Sequence, residues 1–168
     1  MPSSKYPEIK RFLEAYSSVT MIEALITDCN GIARGKLVPS AKLRSTFEPG
    51  LKMPKSALAL DIWGRDVKEL ALENGDIDGY CLAIPSSLTP LLTPNGIDSA
   101  QVIMTMHDSD GQPFMGDPRQ VLQVIVDRFK ALGLRPCVAA ELEFSLLVDP
   151  GHDRPISDAV SVKDDVGG

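Results

Sequence analysis

The 168-residue chain has too little positive charge for a protein that binds nucleic acid or an anionic membrane. Its 17 Lys and Arg residues stand against 23 Asp and Glu residues, which gives a net charge of −6. Phosphate-rich partners require a basic surface, and Lys and Arg are not clustered anywhere in the sequence. We therefore expect no nucleic acid and no membrane among its partners. With only two histidines, His107 and His152, the sequence also argues against a histidine-rich metal centre.

Long apolar runs, paired cysteines and phosphate-binding loops are lacking as well. The longest uncharged stretch, residues 80–97, contains three prolines, so it cannot form a continuous membrane-spanning helix. Three widely spaced cysteines without a C-x-x-C motif predict reduced thiols in a cytoplasmic protein. The chain contains neither G-x-G-x-x-G nor G-x-x-x-x-G-K-[ST], which excludes the usual glycine-rich nucleotide loops.

Several segments have the composition of β-strands. Val19–Asp28 and Ile32–Val38 flank Asn30-Gly31, and this dipeptide predicts a tight hairpin because both residues tolerate a positive φ. A second hairpin is predicted from Ala100–His107 through Asp110-Gly111. Shorter strand-like runs lie at Ser56–Ile62 and Tyr80–Ile84, and the Pro-rich and Ser-rich segment that ends near residue 97 predicts irregular structure.

Two helices and a final strand complete the prediction. Residues 5–16 carry apolar side chains at helical spacing. A second helix begins after Asp117, a good N-cap, with Pro118 in the first position, and Gly133 ends it. The alternating segment Pro136–Val148 predicts a strand. Together these elements predict an α+β fold with a mainly antiparallel sheet.

Glu141 and Glu143 are the first candidates for chemistry. At positions i and i+2 of a strand, their carboxylates share one face about 7 Å apart. Carboxylates without a nearby His or thiolate suit hard cations such as Mg²⁺ or Mn²⁺. One strand supplies too few ligands, so further ligands must come from elsewhere. The alternative is an ordinary strand whose outer face is solvated.

Asp61 is the second candidate, because it follows the apolar run Ala57–Leu60. A carboxylate at a strand end can serve as a base or as a cation ligand. The alternative is that Asp61 accepts a turn hydrogen bond. Arg34 and Lys36, on the second strand of the first hairpin, could bind an anion or could lie on an exposed sheet edge.

Four segments follow one another along the chain: Thr27–Pro39, with the pattern D-x-x-G-x-x-R-G-K-x-x-P; Ala59–Gly64; Asp108–Phe114 with Asp117–Arg119; and Glu141–Phe144, with the pattern E-x-E-F. In this order they resemble four segments of the glutamine synthetase superfamily, namely the signature of its amino-terminal β-grasp domain, a loop at its subunit interface, the passage into its catalytic domain and the strand that carries metal-binding glutamates. The residues of Ser86–Pro90 and Ala139–Phe144 look closest to the family's γ-glutamylpolyamine synthetase branch.

This resemblance implies a fold and a domain organisation. It implies a β-grasp domain with a leading helix over residues 1–114. Residues 115–168 would then be the first helix and strand of a truncated catalytic domain. Family members have several hundred residues, so the resemblance further implies that the chain is an amino-terminal portion, inactive by itself.

The resemblance also implies an activity. It is an ATP-dependent ligation of glutamate to ammonia or to a polyamine such as putrescine, through γ-glutamyl phosphate, with Mg²⁺ or Mn²⁺, in a ring-forming homo-oligomer. Glu141 and Glu143 would each serve one of two metal ions. Asp61 would bind and deprotonate the amine at a neighbouring subunit's site. The alternative function is a non-catalytic β-grasp module for protein interaction.

Overall fold

The computed structural model describes residues 6–68, 75–93 and 96–144. The chain divides into two compact units, Met1–Leu134 and Arg135–Gly168. The elements of the first unit follow one another as α1 Pro7–Ala15, β1 Met21–Thr27, β2 Ala33–Pro39, α2 Leu43–Phe47, β3 Leu51–Pro54, β4 Asp78–Ala83, β5 Thr89–Thr93, β6 Gly96–His107 and α3 Pro118–Ala131.

The strands form a mainly antiparallel sheet in the order β2-β1-β6-β4-β3, and β5 also pairs with β6. The exception is the central pair, β1 and β6, which run parallel with Met21 opposite Ser99. Although β2 and β3 lie at opposite ends of this order, Lys36 Nζ donates a 2.7 Å hydrogen bond to the Lys52 carbonyl. The sheet is therefore curled, and its two ends approach each other. The predicted α+β, β-grasp-like fold class is confirmed.

The core lies under one face of this curled sheet. Alternate residues of β1 and β6 are fully buried, because successive strand side chains point to opposite faces. The two short helices α1 and α2 contribute their apolar sides to the same cluster. Its members from these four elements are Ile9, Phe12, Ile22, Ala24, Ile26, Leu43, Phe47, Ala100, Val102, Met104 and Met106.

Two predictions for the middle of the chain are wrong. Ser56–Ile62 is not a strand, because Lys55–Leu58 forms a 3₁₀ turn that buries Leu58. The segment before residue 97 is not irregular throughout, because Thr89–Thr93 is strand β5 and β6 begins at Gly96. A strand tolerates proline only where no ladder bond is needed, and β5, with Pro90, pairs on one side only, with β6.

The predicted helix after Asp117 is confirmed. The Asp117 carboxylate caps α3 by accepting from the Arg119 N–H at 2.9 Å, and its other oxygen accepts from the Met106 N–H at 2.8 Å. Only Gln120 is buried in α3, and its amide donates to the Met106 carbonyl. The apolar stripe of α3 is exposed, and it consists of Val121, Leu122, Ile125, Phe129 and Leu132.

The strand predicted over Pro136–Val148 is wrong for its described part, residues 136–144, which contain neither helix nor strand and are exposed. Strands need a hydrogen-bonded neighbour, and these residues pair with no described strand. The remaining residues, 145–148, lie outside the described part. The domain boundary between residues 114 and 115 stays a prediction. No helix among the described residues is long and apolar enough to cross a membrane.

Candidate functional site

The loop between β1 and β2 is built around a buried carboxylate. Asp28 is only 2% exposed. Its Oδ1 accepts from the N–H groups of Asn30 and Ile32, both at 2.9 Å, and its Oδ2 accepts from Arg34 Nε at 2.8 Å. The predicted hairpin is confirmed, but its loop differs from the predicted two-residue turn. Three residues lie between Asp28 and Ile32, and of these only Gly31 has a positive φ, 77°.

These contacts set the charge of Asp28. Burial by itself would raise the pKa of the carboxyl group, but the hydrogen bonds from Ile32, Arg34 and Asn30 outweigh burial and lower the pKa below its ordinary value of 3.8. Asp28 is therefore ionised at neutral pH and holds the loop as a charged acceptor. We call residues 28–32 the Asp28 loop.

The residues of β2 that follow the Asp28 loop also have structural contacts. Arg34 is committed to Asp28, and Lys36 to the carbonyl of Lys52. A Cβ at Gly35 would lie 2.0 Å from the Ala24 carbonyl oxygen, so only glycine permits this approach of β2 to β1. The R-G-K segment thus has structural tasks, which favours the sheet-edge interpretation over anion binding.

Asp61 lies at the turn of a second, smaller hairpin. The Val67 N–H donates to the Ala59 carbonyl, and Leu60 bridges Asp66. Asp61 Oδ1 accepts from the N–H groups of Trp63 at 2.8 Å and Arg65 at 2.9 Å. We call residues 59–67 the Asp61 minihairpin. Its first residue, Ala59, is buried, whereas its tip is not.

The turn hydrogen bonds of Asp61 occupy only one of its two carboxylate oxygens. Oδ2 has no partner among the described residues. Ile62 and Trp63, which follow it at the tip, are 78% and 76% exposed. Asp61 is itself half-buried. The turn interpretation and the chemical interpretation are therefore compatible, because a structurally fixed Asp61 still presents a free, charged oxygen.

The same loop geometry occurs three times in the described part of the chain. In residues 28–32, 61–65 and 108–112, the aspartate N–H donates to the carbonyl four residues later, and the glycine N–H donates back to the aspartate carbonyl. Gly31, Gly64 and Gly111 have φ values of 77°, 76° and 82°. Each loop is thus a three-residue connection closed by a glycine with positive φ. The recurring D-x-x-G spacing is the sequence signal that the hairpin prediction did not use.

Asn30 joins the first two loops. Its side-chain Nδ2 donates to the carbonyl oxygens of Asp61 at 3.0 Å and Leu60 at 3.3 Å. Nothing in the sequence analysis singled out Asn30 for this contact, because it connects residues 30 positions apart. The structure therefore places Asp61 beside the Asp28 loop, which Asp28 itself stabilises.

An apolar groove of about 350 Å³ lies next to these loops. It extends from Cys29 in the Asp28 loop, past Leu58 and Ala59, to Met115 and Val121 at the start of α3. Apart from the Cys29 thiol, its lining carries no titratable side chain. The groove is suited to apolar contact and does not itself provide acid–base chemistry.

Glu141 and Glu143 lie in the second unit, and both are exposed. Their carboxylates are donors of the kind that Mg²⁺ and Mn²⁺ prefer. Among the described residues, however, no group of three or more His, Cys, Asp or Glu side chains could hold a metal ion. The pair therefore fits such a cation in chemistry, but does not complete a coordination shell.

Comparison of the sequence with known proteins finds relatives among curated enzymes. No protein-family model matches the chain. It is 42% identical over 143 residues to γ-glutamylputrescine synthetase PuuA of Escherichia coli (strain K12), which covers 83% of the chain and 30% of that enzyme. It is 30% identical over 141 residues to a glutamine synthetase of Thermotoga maritima, which covers 83% of the chain and 29% of that enzyme. The chain thus spans about 30% of the length of these curated relatives.

Solved structures share the fold. One described as a novel glutamine synthase homolog has a TM-score of 0.59 and 24% identity, and it covers 68% of this chain and 27% of its own. Another, described as a GmaS/ADP complex, has a TM-score of 0.58 and 21% identity, and it covers 74% of this chain and 26% of its own.

Proposed function

Because the chain belongs to the glutamine synthetase superfamily, we propose that it supplies the amino-terminal part of an ATP-dependent ligase that joins the γ-carboxylate of glutamate to an amine. The observation that carries this proposal is the 42% identity to a γ-glutamylputrescine synthetase, against 30% to a glutamine synthetase. That difference favours a polyamine such as putrescine over ammonia as the acceptor. The ligase would be a ring-forming homo-oligomer of the cytoplasm.

Asp61 is assigned the amine step. An amine is a cation at neutral pH, and it cannot attack an acyl group until it loses a proton. A nearby carboxylate attracts the cation and can accept that proton. The free Oδ2 of Asp61 meets this requirement, while Oδ1 keeps the group in place through Trp63 and Arg65. In the proposed assembly, the exposed tip of the Asp61 minihairpin faces a site on a neighbouring subunit.

Glu141 and Glu143 are assigned to cation binding. Each would hold one of two Mg²⁺ or Mn²⁺ ions, with the remaining ligands supplied from outside the described residues. When bound, such ions neutralise charge on the phosphoryl group that ATP transfers to glutamate. The carboxylates of the two glutamates would contribute anionic oxygens to the binding of these cations.

The substitution Asp61→Asn tests the proposal in the complete ligase that contains this sequence. An asparagine oxygen still accepts from the Trp63 and Arg65 N–H groups, so the turn is retained while the charge is lost. We expect amine-dependent product formation to fall by about 10²-fold or more, the usual contribution of a positioned base. Glutamate-dependent phosphoryl transfer from ATP should be preserved.

Asp66→Asn is the matched control, because Asp66 is exposed in the same minihairpin and its side chain makes no hydrogen bond or ion pair with another described residue. Mixing Asp61→Asn subunits with Glu141→Gln subunits tests whether Asp61 acts across an interface, since some interfaces then contain both intact groups. Mixed oligomers that form but recover no activity would remove Asp61 from the neighbouring site.

The exposed apolar tip, Ile62 and Trp63, also favours a second function, that of a non-catalytic β-grasp module for protein interaction. ATP turnover separates the two functions. A protein that contains this sequence and shows no ATP turnover dependent on glutamate and an amine would favour the interaction module. We expect the 168-residue chain by itself to show none, because no group of three or more His, Cys, Asp or Glu side chains among its described residues could hold the metal ions that the reaction would use.

A further inference from the structure

The position of the Asp61 minihairpin depends on a contact from outside it. Its base is anchored by the buried Leu58 and Ala59, whereas its tip is exposed. Among the described residues, the only side chain outside residues 59–67 that hydrogen-bonds to this minihairpin is that of Asn30. Both bonds reach the arm that carries Asp61. The contact therefore lies close to the carboxylate and not at the already fixed base.

Asn30 is itself held rigidly. Its backbone N–H donates to the buried Asp28 carboxylate, and Gly31, which follows it, is bonded back to the Asp28 carbonyl. Arg34 secures the other carboxylate oxygen of Asp28. A network of hydrogen bonds therefore runs from β2 through Arg34, Asp28 and Asn30 to the backbone of Asp61.

The contact depends on the two N–H donors of the Asn30 amide. Nδ2 of Asn30 faces two carbonyl oxygens, of Leu60 and Asp61, so only a group with two N–H donors satisfies both. Alanine would remove both hydrogen bonds. Aspartate, although isosteric, would place an acceptor against two acceptors and would push the minihairpin away.

We propose that Asn30 is a positioning residue for the amine step, which holds the Asp61 minihairpin so that the free Asp61 oxygen points to one place. This inference rests on the function proposed above for Asp61. A catalytic base is effective only when it lies within hydrogen-bond reach of the proton it accepts. Without the tether, the minihairpin opens more often and occupies several orientations, and only a fraction of them are productive.

The kinetic test uses Asn30→Ala in the complete ligase with putrescine as the amine. We expect kcat/KM for putrescine to fall about fivefold, which corresponds to the loss of one net hydrogen bond from an exposed site. Glutamate-dependent phosphoryl transfer should not change. Asp110→Ala is the matched control, because Asp110 has the place of Asn30 in the third of the three similar loops, but among the described residues its side chain accepts a hydrogen bond only from the Gln112 N–H of its own loop.

A double-mutant cycle separates positioning from general stability. If Asn30 acts through the Asp61 carboxylate, Asn30→Ala should have almost no further effect in the Asp61→Asn background. Equal effects in both backgrounds would overturn the proposal, and so would an equal loss of both partial reactions. An unchanged kcat/KM in an otherwise active ligase would overturn it as well.

A second measurement does not depend on ligase activity. In the 168-residue chain, amide hydrogen exchange at Asp61 and Val67, whose N–H groups close the minihairpin, should accelerate severalfold in Asn30→Ala and in Asn30→Asp, and should be unchanged in Asp110→Ala. Unchanged exchange in both Asn30 variants would overturn the tether. If the wild-type protein ligates no amine while exchange responds as expected, the function of Asp61 fails and the tether is retained.

Discussion

Replacing Asp28 with alanine should destabilise the fold more than any other single change in its loop. The substitution removes the acceptor for the N–H groups of Asn30 and Ile32 and leaves Arg34 without its partner. Because Asp28 is 2% exposed, the carboxylate is not replaced by water in the same geometry. The Asp28 loop should then lose its single conformation.

The magnitude follows from these contacts. A hydrogen bond to a charged group contributes about 1.5–3 kcal/mol, and the exposed positions of Asn30 and Ile32 favour the lower end of that range. The Arg34 side chain is 30% exposed, so solvent screens the ion pair and its contribution is less than about 1 kcal/mol. We expect a total loss of about 3 kcal/mol, or about 6–12 °C in Tm for a chain of this length.

The effect should depend on pH in a defined direction. The folded state lowers the pKa of Asp28 below 3.8, so the folded protein releases this proton more readily than the unfolded chain. The stabilisation is complete above the unfolded pKa, about 4, and is lost as the pH falls through the folded pKa. The difference in free energy of unfolding between wild type and Asp28→Ala should therefore narrow below about pH 4.

Urea unfolding of the 168-residue chain at pH 7 and in steps down to pH 3 measures both effects. Asp66→Ala is the control, since its exposed side chain makes no hydrogen bond or ion pair with a described residue, and it should stay within about 0.5 kcal/mol of wild type. A loss below about 1 kcal/mol for Asp28→Ala would refute the reasoning that this carboxylate organises the loop. A difference that widens in acid would refute the sign of the pKa shift.

Three further predictions address other parts of the fold. Burial raises the pKa of the Cys81 thiol to about 12, so Cys81 should resist alkylation at pH 8 in the folded chain. The exposed Cys29 should react under the same conditions. Equal labelling of the two cysteines would contradict this prediction. Gly35→Ala should lower Tm by more than 10 °C, because its Cβ would lie 2.0 Å from the Ala24 carbonyl oxygen, and a normal melting curve would show that β2 can shift away. Amide protons of α3 should exchange faster than those of β1, since the apolar stripe of the helix is exposed; equal protection in a monomer would contradict this.

The sequence analysis correctly predicted those elements that are determined by residues close together in the sequence. Asp117 and Pro118 begin α3 through a cap within one helical turn, and β1 is recognisable from seven consecutive residues rich in apolar and β-branched side chains. The three-residue loop at Asp28 also has a local cause, but the Asn-Gly dipeptide led to the prediction of a two-residue turn. The D-x-x-G spacing alone is not sufficient, because Asp76–Gly79 has it as well and Gly79 lies in strand β4.

Other features depend on neighbours that are distant in sequence. Pro136–Val148 has the pattern of a strand, yet its described part pairs with no described strand. An alternating pattern specifies which side chains share a face, but it does not specify the neighbouring strand. The parallel pairing of β1 with β6 and the bond from Asn30 to Asp61 connect segments that no local rule relates. Asp61, Glu141 and Glu143 were identified as candidates from the sequence, and their roles remain predictions.

The parallel pair at the centre of the sheet has a consequence for how the chain folds during synthesis. The hairpin of β1 and β2 can form as soon as residue 39 has left the ribosome, but the inner edge of β1 remains unpaired until β6, which ends at His107, has emerged. Closing so long a loop is slow, and an open strand edge is a site of aggregation. A nascent chain stalled before residue 96 should therefore need a chaperone, whereas one released after residue 107 has all the strands that the structure describes in this sheet.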